Sequence, residues 1–349
     1  MKLLSIGIPT YKRPAALKQC LLSLIHDLSP ENMSKLAIIV SDNDPDSKNE
    51  SMIKDICLLN KIEIKYIRNS TNIGAEKNFL QCAQIAPQSE YFWILGDDDF
   101  IVPGRTADIL QQLESLWLDC IYLESRPIYW STMLPKKPII IKDSNKFLQF
   151  VNYHTTFVSA FIWRTQHVRR QLNLAESYVG SSFIHLSWVL PTIGSAENFL
   201  IFPKKSITGG RETTGGYELG AVFVQNFWRI WTEMTSDFSK SLDPNVTITC
   251  RNLMLLIFYP SILAKLRSKS SKFRFEREDS PSIFKHKFRR FPLYWISTAP
   301  CFFLPLVAIQ FLRLILLAIA LPIIWRITCE ITRISINADL NSKQFTAHN

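Results

Sequence analysis

The seven cysteines of this 349-residue chain form no CxxC pair, and its six histidines show no metal-ligand spacing. Neither a disulfide framework nor a cysteine-based metal site follows from that pattern. Most of the cysteines sit among apolar residues, as expected of reduced core thiols in a cytosolic compartment. A secretory leader is not expected either. Met1 and Lys2 run directly into a short apolar strand stopped by Pro9, too brief for a signal-peptide core. The chain also lacks the Gly-rich, Lys-containing N-terminal loop expected of a nucleotidyltransferase. Excess positive charge is small over most of its length: residues 265–290 hold ten Lys/Arg against three Asp/Glu, +7 of the net +10. No nucleic acid partner is expected from so uneven a distribution. A basic cluster beside a hydrophobic tail points instead to a membrane surface.

Against these absences stands one dense stretch. Tyr91-Phe92-Trp93-Ile94-Leu95 reads as a strand buried on both faces, and Gly96 with three consecutive carboxylates, Asp97, Asp98 and Asp99, follows directly. Carboxylates crowded at a strand end repel one another unless a cation intervenes. Mg²⁺ or Mn²⁺ suits such oxygen ligands, one or two carboxylates being completed by substrate phosphates. The carboxyl edge of an α/β sheet is also where ligands bind. A solvated turn or helix cap is the competing structural reading.

With 47% hydrophobic residues the chain can build a sizeable core, and its length suggests about two domains. Apolar runs at residues 3–8, 36–40 and 91–95, and the alternation of Ile62, Ile64 and Tyr66 with Glu63 and Lys65, read as strands, with helical patterns at 14–27, 47–60 and 74–86 between them. That alternation predicts a mostly parallel α/β sheet. Four polar clusters, at 9–13, 41–44, 69–74 and 97–99, each follow a strand and so gather at one sheet edge.

Taken together, Pro9-Thr10-Tyr11-Lys12-Arg13, Ser41-Asp42-Asn43, Asn72-Ile73-Gly74 with Asn78, and Gly96-Asp97-Asp98-Asp99 resemble the nucleotide-sugar half of family-two glycosyltransferases of GT-A fold. The similarity is to the bacterial O-antigen enzymes, abequosyltransferase-like proteins among them, and covers residues 1–123. The resemblance implies that Pro9, Tyr11 and Asp42 hold the donor base and that Asp97 bonds the ribose. Arg13, Asn72, Gly74, Asn78 and Asp98 would complete the nucleotide-sugar site, and Asp99 would bind the metal at the diphosphate. It further implies sugar transfer, with inversion, from a nucleoside diphosphate donor to a hydroxyl of a lipid-linked saccharide in surface polysaccharide synthesis. A nucleotidyltransferase, or a non-catalytic membrane-bound nucleotide-sugar-binding subunit, is the alternative.

Residues 124–216 are expected to face the acceptor. Related transferases usually open a helix here with an acidic pair that supplies the catalytic base, and Gly180-Ser181-Ser182-Phe183-Ile184-His185 has none. His185 is then a candidate base, with Glu176 the next; a hydrogen-bonded core histidine beside Phe183 and Trp188 is the other reading. Four of the eleven glycines fall in residues 209–216, suggesting a closing lid whose Arg211 meets the diphosphate, or a surface turn. Residues 217–290 form a helical and basic segment and residues 291–349 an apolar tail. Arg313 and Pro322 within that tail suggest two half-length interfacial helices or a re-entrant hairpin, with the catalytic part on the cytoplasmic face of a bacterial inner membrane. A buried helical bundle is the alternative. A chain ending near Ser280 is expected to keep its nucleotide site and become soluble.

Overall fold

The computed structural model describes the chain except residues 27, 127–132, 210–217, 237, 239–241, 268–279 and 347–349, and the side chains of 335–346. An eight-stranded sheet has the order β3-β2-β1-β4-β8-β6-β9-β7. Its strands are β1 (Lys2–Thr10), β2 (Leu36–Asp42), β3 (Ile64–Arg68), β4 (Ser89–Ile94), β6 (Cys120–Leu123), β7 (Ile139–Ile141), β8 (Phe161–Arg164) and β9 (Phe199–Phe202). β1, β2, β3 and β4 are parallel, as the alternation of apolar runs and helices predicts. β8 runs antiparallel between β4 and β6, so the chain entering β8 stands at the edge where β4 ends. A two-stranded sheet pairs β5 (Asp99–Ile101) with β10 (Ile207–Gly209), setting Gly209 opposite Asp99.

Helix α1 (Pro14–Ile25) begins with a proline in its first turn and buries Leu17, Cys20, Leu21, Leu24 and Ile25, the spacing of one helical stripe. With α3 (Asn49–Asn60) and α5 (Arg105–Ser115) it covers one sheet face; the short α2 (Pro30–Ser34) precedes β2. The opposite face carries α4 (Ala75–Ile85), α6 (Ser144–Val151), α7 (Thr165–Glu176) and α8 (Leu186–Ser195). Asp143 caps α6 by accepting from the Lys146 amide at 3.1 Å.

The C-terminal helices continue this second core. They are α9 (Phe227–Ser236), α10 (Pro244–Leu253), α11 (Tyr259–Arg267), α12 (Ser280–Phe288), α13 (Pro292–Ser297) and α14 (Leu306–Thr346). π-helical turns at Gly220–Asn226 and Met254–Phe258 precede α9 and α11. Phe284, Phe288 and Tyr294 are buried in the same cluster as Tyr122 and Trp163 of the sheet. The expectation that everything after Ser280 can be removed is therefore corrected: α12 and α13 are core.

The tail differs from expectation in a second way. α14 is one continuous 41-residue helix that passes through both Arg313 and Pro322. Arg313 remains within it by turning its guanidinium to the Gln310 side chain at 2.6 Å. Pro322 removes one backbone bond from a helix whose neighbouring turns are held by packing. Among the described residues, two helical stretches are long and apolar enough to cross a membrane, Pro244–Arg267 and Leu306–Ile334; the first is mostly enclosed by protein and the second mostly is not. Ile309, Leu316, Ala320, Ile324, Ile327 and Ile331 are the buried stripe of α14. Its other side exposes Val307, Phe311, Leu314, Ile315, Ile319 and Trp325, each between 48% and 69%.

Candidate active site

A cavity of about 360 Å³ lies at the carboxyl edge of β1, β2 and β4. Pro9, Thr10, Tyr11, Arg13, Asn43, Asn72, Gly74, Asn78 and the Gly96–Asp99 run line it, with residues 156–159 on the far wall. Parallel strands 1, 2 and 4 deliver three of the four polar clusters here, and the 69–74 loop after β3 supplies the fourth. A larger cavity of about 530 Å³ opens at the opposite edge, among Leu28, Met33, Leu36 and Ile62, well away from the carboxylates.

The carboxylates are individually held. Asp97 Oδ2 accepts from the Thr10 hydroxyl at 2.6 Å, and its Oδ1 pairs with Arg13 Nη1 at 3.0 Å. The same Nη1 reaches Asp98 Oδ2 at 3.0 Å, so one guanidinium spans two acids. Asp99 Oδ2 accepts from Ser159 Oγ at 2.6 Å, while Ser159 Oγ accepts from the Gly96 amide at 2.9 Å. Gly96 is required for that arrangement, since a Cβ there would stand 2.8 Å from Asp99 Oδ2. Burial pushes Asp97 up to about 6, against the opposing pull of Arg13 and Thr10. Burial also raises Asp99, to about 7, and the charges of Asp98 and Asp97 add to it. A cation or a proton relieves the cost of carboxylates buried in this way.

Asn43, Asn69, Asn72 and Asn78 fasten the loop after β3. Asn43 donates to Asn72 Oδ1 at 2.6 Å and accepts from the Ile73 amide at 2.9 Å. Asn78 accepts from Ser41 Oγ at 2.6 Å and from Asn69 at 3.3 Å. Gly74, with φ at +87°, turns the chain into α4. Asp42 is completely buried and lies off the cavity wall, accepting from Asn49 at 2.8 Å, Tyr66 at 3.0 Å and the Asp44 amide at 3.1 Å. Asn43, one residue on, reaches the wall in its place.

The two residues considered as bases are not on that wall. His185 is 5% exposed and packs edge-on against Phe183 and Trp188. Its Nε2 donates to the Thr155 carbonyl at 3.1 Å, and burial lowers it to about 4. Glu176 stands exposed at the end of α7, accepting from Gln84 at 3.3 Å. Arg211 lies outside the described residues; Gly209, two positions before it, pairs with Asp99. One participant escapes a reading by motif, Ser159, which arrives from a 3₁₀ turn (Val158–Ala160); Thr10 lies inside the Pro9–Arg13 motif, where the resemblance gives it no role.

Among the described residues, no group of three or more His, Cys, Asp or Glu is arranged to enclose a metal ion alone. An oxygen donor set with a buried Asp99 fits a divalent cation whose shell is completed by phosphates. The sequence pattern of Glycosyl transferase family 2 matches residues 5–172. Abequosyltransferase RfbV of Salmonella typhimurium is 36% identical over 114 residues, 32% of this chain and 33% of that protein, so the match spans a third of its length. The crystal structure of S. aureus TarS 1–349 in complex with UDP-GlcNAc superposes with a TM-score of 0.56 at 13% identity, covering 95% of this chain and 92% of that one. Mannosyltransferase PcManGT from Pyrobaculum calidifontis, in complex with GDP-Man and Mn²⁺, gives 0.51 at 12% identity over 89% and 86%. Residues 5–172, just under half of the chain, carry the pattern of glycosyl transferase family 2, on a fold of the GT-A type.

Proposed function

We propose that the protein transfers a sugar, with inversion, from a nucleoside diphosphate donor to a hydroxyl of a lipid-linked saccharide in bacterial surface polysaccharide synthesis. The observation that carries this reading is the Asp97–Asp99 run, held by Thr10, Arg13 and Ser159, in one cavity with the asparagine-fastened loop. Pro9, Tyr11 and Asn43 receive the base, with Asp42 fixing the turn behind them through Asn49 and Tyr66. Asp97 meets the ribose. Asp99, with Asp98 beside it, would hold Mg²⁺ or Mn²⁺, which when bound neutralises charge on the leaving diphosphate. Arg13, already poised on two carboxylates, can turn to the diphosphate bidentately, and Arg211 is proposed to join it. Substrate positioning falls to Asn72, Gly74 and Asn78.

Location at the cytoplasmic face of a membrane is part of the proposal. The exposed stripe of α14, together with Lys285, Lys287, Arg289 and Arg290, supports an interfacial attachment. A specific observation favours a second reading, a nucleotide-sugar-binding subunit without transfer: neither His185 nor Glu176 lines the cavity. Purified protein is incubated with UDP-, GDP-, CDP- and dTDP-sugars, with and without Mn²⁺, and free nucleoside diphosphate is measured. Metal-dependent release with one donor class supports the enzyme. Binding without release supports the subunit, and neither binding nor release with any donor removes both.

Ser159 gives a narrower expectation. Ser159→Ala removes the donor to Asp99 and orphans the Gly96 amide, so turnover should fall about 10–100-fold, the usual cost of losing a group that orients a ligand. Steady-state kinetics at saturating Mn²⁺ checks it; a change under threefold rules the orienting role out.

A further inference from the structure

Glu76 belongs to no motif singled out above, yet its carboxylate ties the helix behind the 72–74 loop to a turn that lies outside the cavity lining and leads to its far wall through His185. It lies in the first turn of α4, two residues after Gly74. From there it reaches more than a hundred residues along the chain to the turn that precedes α8. Its Oε1 accepts from Ser181 Oγ at 3.1 Å and from the Ile184 amide at 3.0 Å. Its Oε2 accepts from the Gly180 amide.

The turn it grips is closed by the Phe183 amide on Ser181 Oγ at 3.0 Å and by the Ser181 amide on the Tyr178 carbonyl at 3.1 Å, yet it carries two residues at positive φ. Gly180 has φ at +95° and Ser182, not a glycine, φ at +63°. The helix that follows has no side-chain cap of its own at His185. Glu76 supplies from another element an acceptor for the Ile184 amide just ahead of that helix, whose first amides bond back to the carbonyls of Phe183, Ile184 and His185. Its negative charge is also favourably placed near the amino end of a helix. From this turn the contacts continue: His185 donates to the Thr155 carbonyl, Thr156 and Ser159 line the cavity, and Ser159 holds Asp99. A path of polar contacts thus runs from the 72–74 loop, through Glu76 and the 180–184 turn, to the carboxylate run.

We propose that Glu76 is a positioning residue that ties the order of the 180–184 turn, and with it the far wall of the cavity, to the donor-binding loop. The proposal rests on the transferase reading for the identity of the ligand on that loop. A donor that settles on residues 72–74 then tightens α4, and Glu76 passes that tightening to the opposite wall. No carboxylate is needed within residues 180–184 for this, because the one required comes from α4.

The test is amide hydrogen exchange on the full chain, wild type against Glu76→Gln and Glu76→Ala, with Mn²⁺ and each of UDP, GDP, CDP and dTDP. In the wild type, the nucleoside diphosphate that binds should slow exchange at residues 72–74 and 180–186 together. In Glu76→Ala, exchange at 180–186 should rise at least tenfold and lose its response to nucleotide, while residues 72–74 still respond. Glu76→Gln keeps one acceptor oxygen and should fall between. Kinetics supply a second readout: donor KM and donor hydrolysis in Mn²⁺ should stay within threefold of wild type. Unchanged exchange at 180–186 in Glu76→Ala overturns the proposal, as does a loss of donor hydrolysis beyond threefold. If no nucleotide slows residues 72–74 in the wild type, the ligand reading fails and the coupling with it. That failure shows in the wild type alone and is distinct from one seen only in the variants.

Discussion

Asp99→Asn is expected to leave a folded protein with sugar transfer reduced by about 10²–10⁴-fold. Ser159 donates to Asp99 Oδ2, and an asparagine carbonyl oxygen can take that same hydrogen bond, so the local geometry survives. What disappears is a negative charge at a site where burial and two neighbouring acids already make it costly. The free protein should therefore melt at the wild-type temperature or slightly above. The loss of a ligand charge for a divalent cation is worth several kcal/mol in the transition state, and each 1.36 kcal/mol is tenfold in rate. Mn²⁺ binding followed by electron paramagnetic resonance gives a readout independent of turnover: affinity in the presence of nucleotide should fall at least tenfold. Wild-type affinity and a rate within a few-fold would remove Asp99 from the metal site.

A chain ended at Ser280 should lose its fold as well as its membrane contact. Phe284 and Phe288 face Tyr259 at ring-centroid distances of 4.8 and 5.7 Å, and Phe288 also meets Trp228 at 6.3 Å. Removing a buried aromatic costs about 3–5 kcal/mol, against a total stability of about 5–15 kcal/mol. Aggregation and loss of nucleotide binding are expected together. Substituting Phe311, Leu314, Ile315 and Trp325 by Ser or Gln touches only exposed positions. That variant should keep donor hydrolysis and fail to float with vesicles containing anionic lipid. Flotation equal to wild type would move the attachment elsewhere; loss of hydrolysis would mean the stripe supports the fold.

The parallel half of the fold was legible because three of its strands are continuous apolar runs and β3 alternates, with helices between them, and each turn carries polar residues of recognisable type. The cluster at 97–99 was legible for the same reason. Ser159 was not, because only the antiparallel insertion of β8 brings a residue 60 positions later beside Asp99. Glu76 was hidden by a still longer separation. For His185 the residue types offered two environments, and the aromatic neighbours that favour the buried one are adjacent in sequence. The tail misled through local rules: Arg313 and Pro322 are ordinary helix interruptions, yet packing of the opposite stripe carries α14 through both.

That two-faced helix changes what concentration means for this protein. If the exposed stripe lies in one leaflet and the acceptor is lipid-linked, enzyme and acceptor meet within a surface. The relevant KM is then a mole fraction in the bilayer. Adding bare vesicles at a fixed total of acceptor should slow the reaction by diluting it in two dimensions. Doubling the assay volume at a fixed membrane composition should leave the rate per bound enzyme unchanged.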